Sequence, residues 1–167
     1  EAVAKARTEG NFRLQVTAEP ALTKSGKDDT VLSNPRIHAQ KQDGLYYVAY
    51  HPTGGTPDIS VFHQLLTAAS DLDGVEIRLN ADETAYIINL TAAEARQIAA
   101  ITESDAAVTA FENSVSCIGA TVCQQGLRDS HGMLVRVLQT LKEKGLDTSL
   151  LPQCRFSGCA STCTTQQ

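Results

Sequence analysis

No stretch of this sequence stays apolar for the roughly 18 residues that a helix needs to cross a membrane, so no membrane partner is expected. An excess of positive charge is missing too. The 14 Lys and Arg against 19 Asp and Glu leave a net charge of -5, which provides no basic field for nucleic acid. The N-terminus shows no secretory signal, and there is no internal repeat or low-complexity tract. Five cysteines without such a signal argue for a reducing compartment, and the expected location is cytoplasmic. Methionine occurs once, at Met133, so Glu1 is not expected to be a translation start and the chain is expected to be a piece or processed product of something longer. The hydrophobic fraction of 42% is ordinary and excludes global disorder.

Against those absences stand four cysteines in two pairs. Five residues separate Cys117 from Cys123, three separate Cys159 from Cys163, and 35 lie between the pairs. Four thiolates brought together can hold a soft metal centre. Zinc sites favour about two to four residues between paired ligands, and only one of the two intervals complies. Disulfides suit a secreted chain and leave an odd cysteine. Buried inert thiols are the remaining alternative. Small residues around the ligands (Gly119, Ala120, Thr121, Gly158, Ala160, Ser161 and Thr162) favour an iron–sulfur cluster, because they let backbone N–H groups approach its sulfurs. Cys154 is then a spectator.

The pattern along the chain predicts a helix over Glu1–Thr8, a strand over Phe12–Thr17 and a polar connection over 18–35 that carries Lys24 and Lys27 in solvent. A compact unit follows. Leu45–His51 reads as a strand, and Asp58 caps a helix bearing Ile59, Val61, Phe62, Leu65, Leu66 and Ala69. Val75–Leu79 and Thr84–Leu90 read as a hairpin, and Thr91–Glu94 as a capping box opening a helix to about Ile101. The order strand, helix, strand, strand, helix predicts an α+β sandwich close to half of a ferredoxin-like unit. Ser104 is expected to cap a short helix through Phe111. A long helix is expected over Gln124–Lys144, with its positive end beside Cys123 and its apolar side built from Leu127, Met133, Leu134, Val137, Leu138 and Leu141. Gly145 closes it, and Gln153–Phe156 reads as a short strand that delivers the second pair.

Cys117-x5-Cys123 and Ser157-Gly-Cys159-x3-Cys163, joined by a helix of this length behind Gly44-Leu-Tyr-Tyr-Val and Val75-Glu-Ile-Arg78-Leu-Asn80, resemble the sirohaem and [4Fe–4S] signature of nitrite and sulfite reductases. The likeness covers roughly residues 36–163. It implies three parts: a connecting segment (1–35), a ferredoxin-like half-domain (36–103) and a helix-rich α/β cluster-binding segment (104–167). It implies six-electron reduction of sulfite to sulfide or nitrite to ammonia, with Cys117, Cys123, Cys159 and Cys163 on one [4Fe–4S] cluster and Cys163 bridging to the sirohaem iron. Arg78, Asn80 and Arg155 are the candidate sirohaem contacts. The implied partners are the remainder of a parent reductase, an electron donor and a small oxyanion substrate. The sequence departs from the signature at Ala160-Ser-Thr162, where the family usually has Pro-Asn-Gly/Ser, and in the hairpin, where Asp82 and Glu83 would repel sirohaem carboxylates. The groups that hold substrate in that family lie mostly in a first half not found here. An electron-transfer module with a cluster but no sirohaem, and a structural fragment with free thiols, are the alternative readings. His38, His51, His63 and His131 have no paired ligand spacing, and Gly54-Gly55 reads as a turn rather than a phosphate loop.

Overall fold

The computed structural model describes residues 24–26 and 32–165. The helix expected over Glu1–Thr8, the strand over Phe12–Thr17 and Lys27 lie outside the described residues. The first unit comprises β1 (Ile37–Ala39), β2 (Tyr46–Tyr50), α1 (Ile59–Ser70), β3 (Glu76–Leu79), β4 (Ala85–Leu90) and α2 (Ala92–Ile101). The second comprises β5 (Val115–Ser116), α3 (Ser130–Glu143), β6 (Arg155–Phe156) and a closing 3-10 turn, Cys163–Thr165.

β1 to β4 form an antiparallel sheet in the order β1-β2-β4-β3. β2 and β3 flank β4 and are joined through α1, which is the split β-α-β of a ferredoxin-like half-domain. The predicted α+β class is therefore the observed one. Alternation does the rest: Tyr46, Val48 and Tyr50 point into the core, with Leu65, Ile87, Leu90, Ala95 and Ile98. Between the pairs Val48–Ile87 and Tyr46–Leu90, β4 takes one residue more than β2. The bulge is Asn89, at φ 63. Its N–H goes to Gln40 Oε1 (2.6 Å) and its Nδ2 donates to Gly74 O (2.9 Å), so the interrupted ladder leaves that donor satisfied. The shift lets Ile87 and Leu90, three apart, both turn inward.

The helix starts follow local chemistry. The Asp58 carboxylate accepts from the N–H groups of Ser60 (2.8 Å) and Val61 (3.2 Å). Thr91 and Glu94 form the expected capping box. Lys24 departs from expectation. It is not solvated, because its Nζ ion-pairs with Glu94 at 2.7 Å and donates to Asp73 O at 2.9 Å.

Two expectations in the second unit are corrected. Residues 104–111 form no helix, because their backbone donors are used elsewhere. Ala107 N donates to His51 O, and Val108 N and Thr109 N both donate to the Glu112 carboxylate. The long helix starts at Ser130 rather than Gln124, with Asp129 as its N-cap. Leu134 and Leu138 are buried with Phe111, and Val137, Leu141, Cys154 and Phe156 pack around them. Leu127 and Met133 are exposed instead. Gly145, at φ 60, closes the helix as expected.

Candidate metal centre

β5 and β6 are parallel neighbours, with Val115 opposite Arg155 and Ser116 opposite Phe156. Cys117 N donates to Phe156 O at 2.9 Å. The strand pair therefore delivers the first cysteine of each pair to the same end. Residues 124–129, spared from the helix, stitch the two cysteine segments together. Ala120 N donates to Arg128 O (2.9 Å), and Leu127 N and Arg128 N both donate to Gly158 O (3.0 Å each). This stitching needs bare backbone. A Cβ on Gly119, which has φ +66, would stand 2.8 Å from Ser130 N, and one on Gly158 would stand 2.5 Å from Arg128 O.

All four thiols, Cys117, Cys123, Cys159 and Cys163, line one cavity of about 390 Å³. Cys163 is exposed and the other three are half-buried. Cys154 is not among the lining residues and packs into the second core instead. Among the described residues no three His, Cys, Asp or Glu side chains close on a single point. The four thiols share the cavity wall without converging on one point.

Two donors reach the Cys117 sulfur. Ser130 Oγ, in the first turn of α3, lies 2.9 Å from its sulfur, and Gly158 N donates to that sulfur at 3.2 Å. The Ser130 contact lowers the Cys117 pKa most; burial opposes it, and the N–H donors of Gly158 and Gly119 add to the lowering. A helix N-terminus does meet the thiols, at Cys117 rather than at Cys123. The four-cysteine donor set, the small-residue turns and these donors together fit a [4Fe–4S] cluster.

The other candidates are scattered. Arg78 is exposed, pairs with Glu76 (2.9 and 3.1 Å) and does not line the cavity. Asn80 Oδ1 accepts from Ala81 N at 2.9 Å, which fixes the hairpin turn, and Asn80 is likewise off the cavity. Arg155 lines it, with Nη1 donating to Thr164 O at 2.6 Å. Asp82 and Glu83 line it as well. Ser130 was not foreseen, because its position fell inside the expected helix. His51 is buried, with Nδ1 3.3 Å from Thr84 Oγ1 and Nε2 without a hydrogen-bond partner. Burial pushes its pKa down, against the opposing pull of Asp82. His131 Nδ1 lies 3.3 Å from Ser116 Oγ, and His38 stacks on Tyr47. Among the described residues no helix is long and apolar enough to cross a membrane.

Fold and site together define a ferredoxin-like half-domain followed by a cysteine-lined segment. No protein-family model matches the sequence, and no curated protein matches it. Among solved structures, the chain is similar in fold to the NirA protein of Mycobacterium tuberculosis. The TM-score is 0.65 at 14% identity, over 84% of this chain and 27% of that one. The chain thus spans about a quarter of the length of that neighbour.

Proposed function

We propose that this chain carries a [4Fe–4S] cluster on Cys117, Cys123, Cys159 and Cys163, as the cluster-bearing portion of a protein of nitrite and sulfite reductase type. One observation carries the reading: four thiols from two distant segments line a single cavity, while Cys154 does not. The likeness in fold to the NirA protein agrees with the fold that this reading requires. When bound, such a cluster supplies one-electron transfer. The chain's own groups hold and tune it. The thiolates ligate, and Gly158 N and Ser130 Oγ stabilise negative charge on the Cys117 sulfur.

The resemblance implies more for a whole reductase: sirohaem bridged through Cys163, and six-electron reduction of sulfite to sulfide or of nitrite to ammonia. For a chain matching 27% of NirA, we assign that activity to the assembled protein. Its proposed partners are the rest of the parent chain or subunit, an electron donor and a small oxyanion, and its proposed location is the cytoplasm. The three-part division at residues 35 and 103 belongs to the same proposal.

Anaerobic reconstitution with iron and sulfide tests the cluster. The expected result is broad visible absorption, with iron and acid-labile sulfide in the ratio of a [4Fe–4S] cluster. Cys154→Ser should keep it, and Ser at any of the other four positions should diminish it. A folded sample that takes up no iron makes the chain a structural fragment with free thiols.

A further inference from the structure

The cavity that holds the four thiols has a wall of opposite character. The β3–β4 hairpin presents Asp82 and Glu83 to it, and among the described residues Arg155 is the one cationic side chain in its lining. Resting on the cluster reading, we infer that in this chain by itself, without the remainder of a parent reductase, Asp82 and Glu83 are specificity-determining residues, which leave the thiols open to an iron–sulfur cluster and turn away a polycarboxylate tetrapyrrole such as sirohaem.

The Asp82 carboxylate is tied down, and Glu83, although exposed, is set by its backbone. Asp82 Oδ1 accepts from Thr84 N at 3.2 Å, and Asn80 N donates to Thr84 O at 2.9 Å, so the turn is tied across its own base. Glu83 takes φ 68, a left-handed conformation that is uncommon without glycine. Its carboxylate then lies over Gly55, where a Cβ would stand only 2.0 Å from Glu83 Oε2. Gly55 is thus left bare where the carboxylate sits. Burial raises the Glu83 pKa, His131 draws it back and Asp82 adds to the rise. Among the described residues no cation lies within ion-pair distance of Glu83.

Arg78 lies off the cavity against Glu76, and Arg155 Nη1 donates to Thr164 O. The cavity, at about 390 Å³, is near the lower end of the roughly 300–1,000 Å³ of ordinary ligand pockets. A macrocycle entering it would press its carboxylates towards like charges in a partly water-excluded site. A cluster is held differently. Its iron–thiolate bonds form at the cysteines themselves and do not depend on the sign of the hairpin.

The test uses the full chain, reconstituted anaerobically and assayed for iron and sulfide before any tetrapyrrole is added. Sirohaem is then titrated, and Soret absorption retained through gel filtration is measured for wild type and for the double variant Asp82→Asn/Glu83→Gln. Both substitutions keep the size and hydrogen-bonding capacity of the side chains, so the turn should persist. Wild type should retain the cluster and little sirohaem. The variant should retain sirohaem about tenfold more tightly, with the gap narrowing as salt is raised. Equal retention by the two proteins, whether both high or both nil, overturns the role given to these carboxylates. Failure of the cluster reading shows separately, as absent iron in the first step.

Discussion

Ser130 Oγ lies 2.9 Å from the sulfur of Cys117 and 2.9 Å from the carbonyl oxygen of the same residue. One hydroxyl proton faces two acceptors. While the sulfur is a thiol, the hydroxyl can donate to the carbonyl and accept from S–H. Once the sulfur is a thiolate, donating to it becomes the stronger option. The first turn of α3 thereby senses the charge state of a proposed ligand.

Ser130→Ala removes that donor. Its expected effect is an upward move of the Cys117 thiol pKa, since the Ser130 hydrogen bond is the largest cause of its lowering. Iodoacetamide labelling of the metal-free chain across pH, read by mass spectrometry, would show the Cys117 midpoint rising. An unmoved midpoint would refute the assignment.

Gly158→Ala places a Cβ 2.5 Å from a backbone oxygen, that of Arg128, with Ser130 Oγ 3.3 Å away. Backbone cannot yield as a flexible side chain does, so the expected loss is about 1–3 kcal/mol, or several degrees in Tm. Iron uptake should fall with it. Gly145→Ala, at φ 60 but with nothing within 4 Å, is the control. It should cost about 1 kcal/mol and spare iron uptake.

Acid should destabilise the protein through His51. Its folded pKa is lowered, chiefly by burial. Below the unfolded value of about 6.5 the unfolded chain takes a proton that the folded chain resists. This contribution is therefore complete above about pH 6.5 and is lost as pH falls towards the folded pKa. Glu83, raised by burial, works in the opposite sense, and comparison with a variant cancels it. His51→Gln should flatten the fall in Tm between about pH 7 and 5. A fall as steep as in wild type would count against His51.

Leu134→Ala opens the second core, where Leu134 is fully buried against Phe111 and Phe156. The expected loss is about 2–5 kcal/mol. Because that core seats α3 against β5 and β6, the variant should also hold iron less well. Ile87→Ala in the sheet should cost a similar amount of stability with a smaller effect on iron, as measured by thermal melts and iron analysis of the same samples.

Much of the half-domain was legible because its signals are local. Asp58, Thr91 with Glu94, and the hairpin after Leu79 each act within a few residues, and period-two burial does the rest. The bulge at Asn89 depends on Gln40, far along the chain, and left no local mark, while β1 is only three residues long, too short to show a period. The helix expected from Gln124 failed for the same reason. The donors of Leu127 and Arg128 are claimed by Gly158, some thirty residues away, and no periodicity encodes that. The spacing of the cysteines pointed to one site. It could not show that a serine in a helix's first turn would touch Cys117, or that the hairpin's acidic tip would face the same space.

Parallel pairing of β5 and β6 has a consequence for the protein's biogenesis. The strands lie forty residues apart, with α3 between them. Neighbouring segments of the first unit can collapse early, but this pairing is non-local and must wait for a large loop to close. The thiols meet only when that has happened. On the cluster reading, iron and sulfide would find the four thiols together only after this late closure, when the half-domain is already ordered.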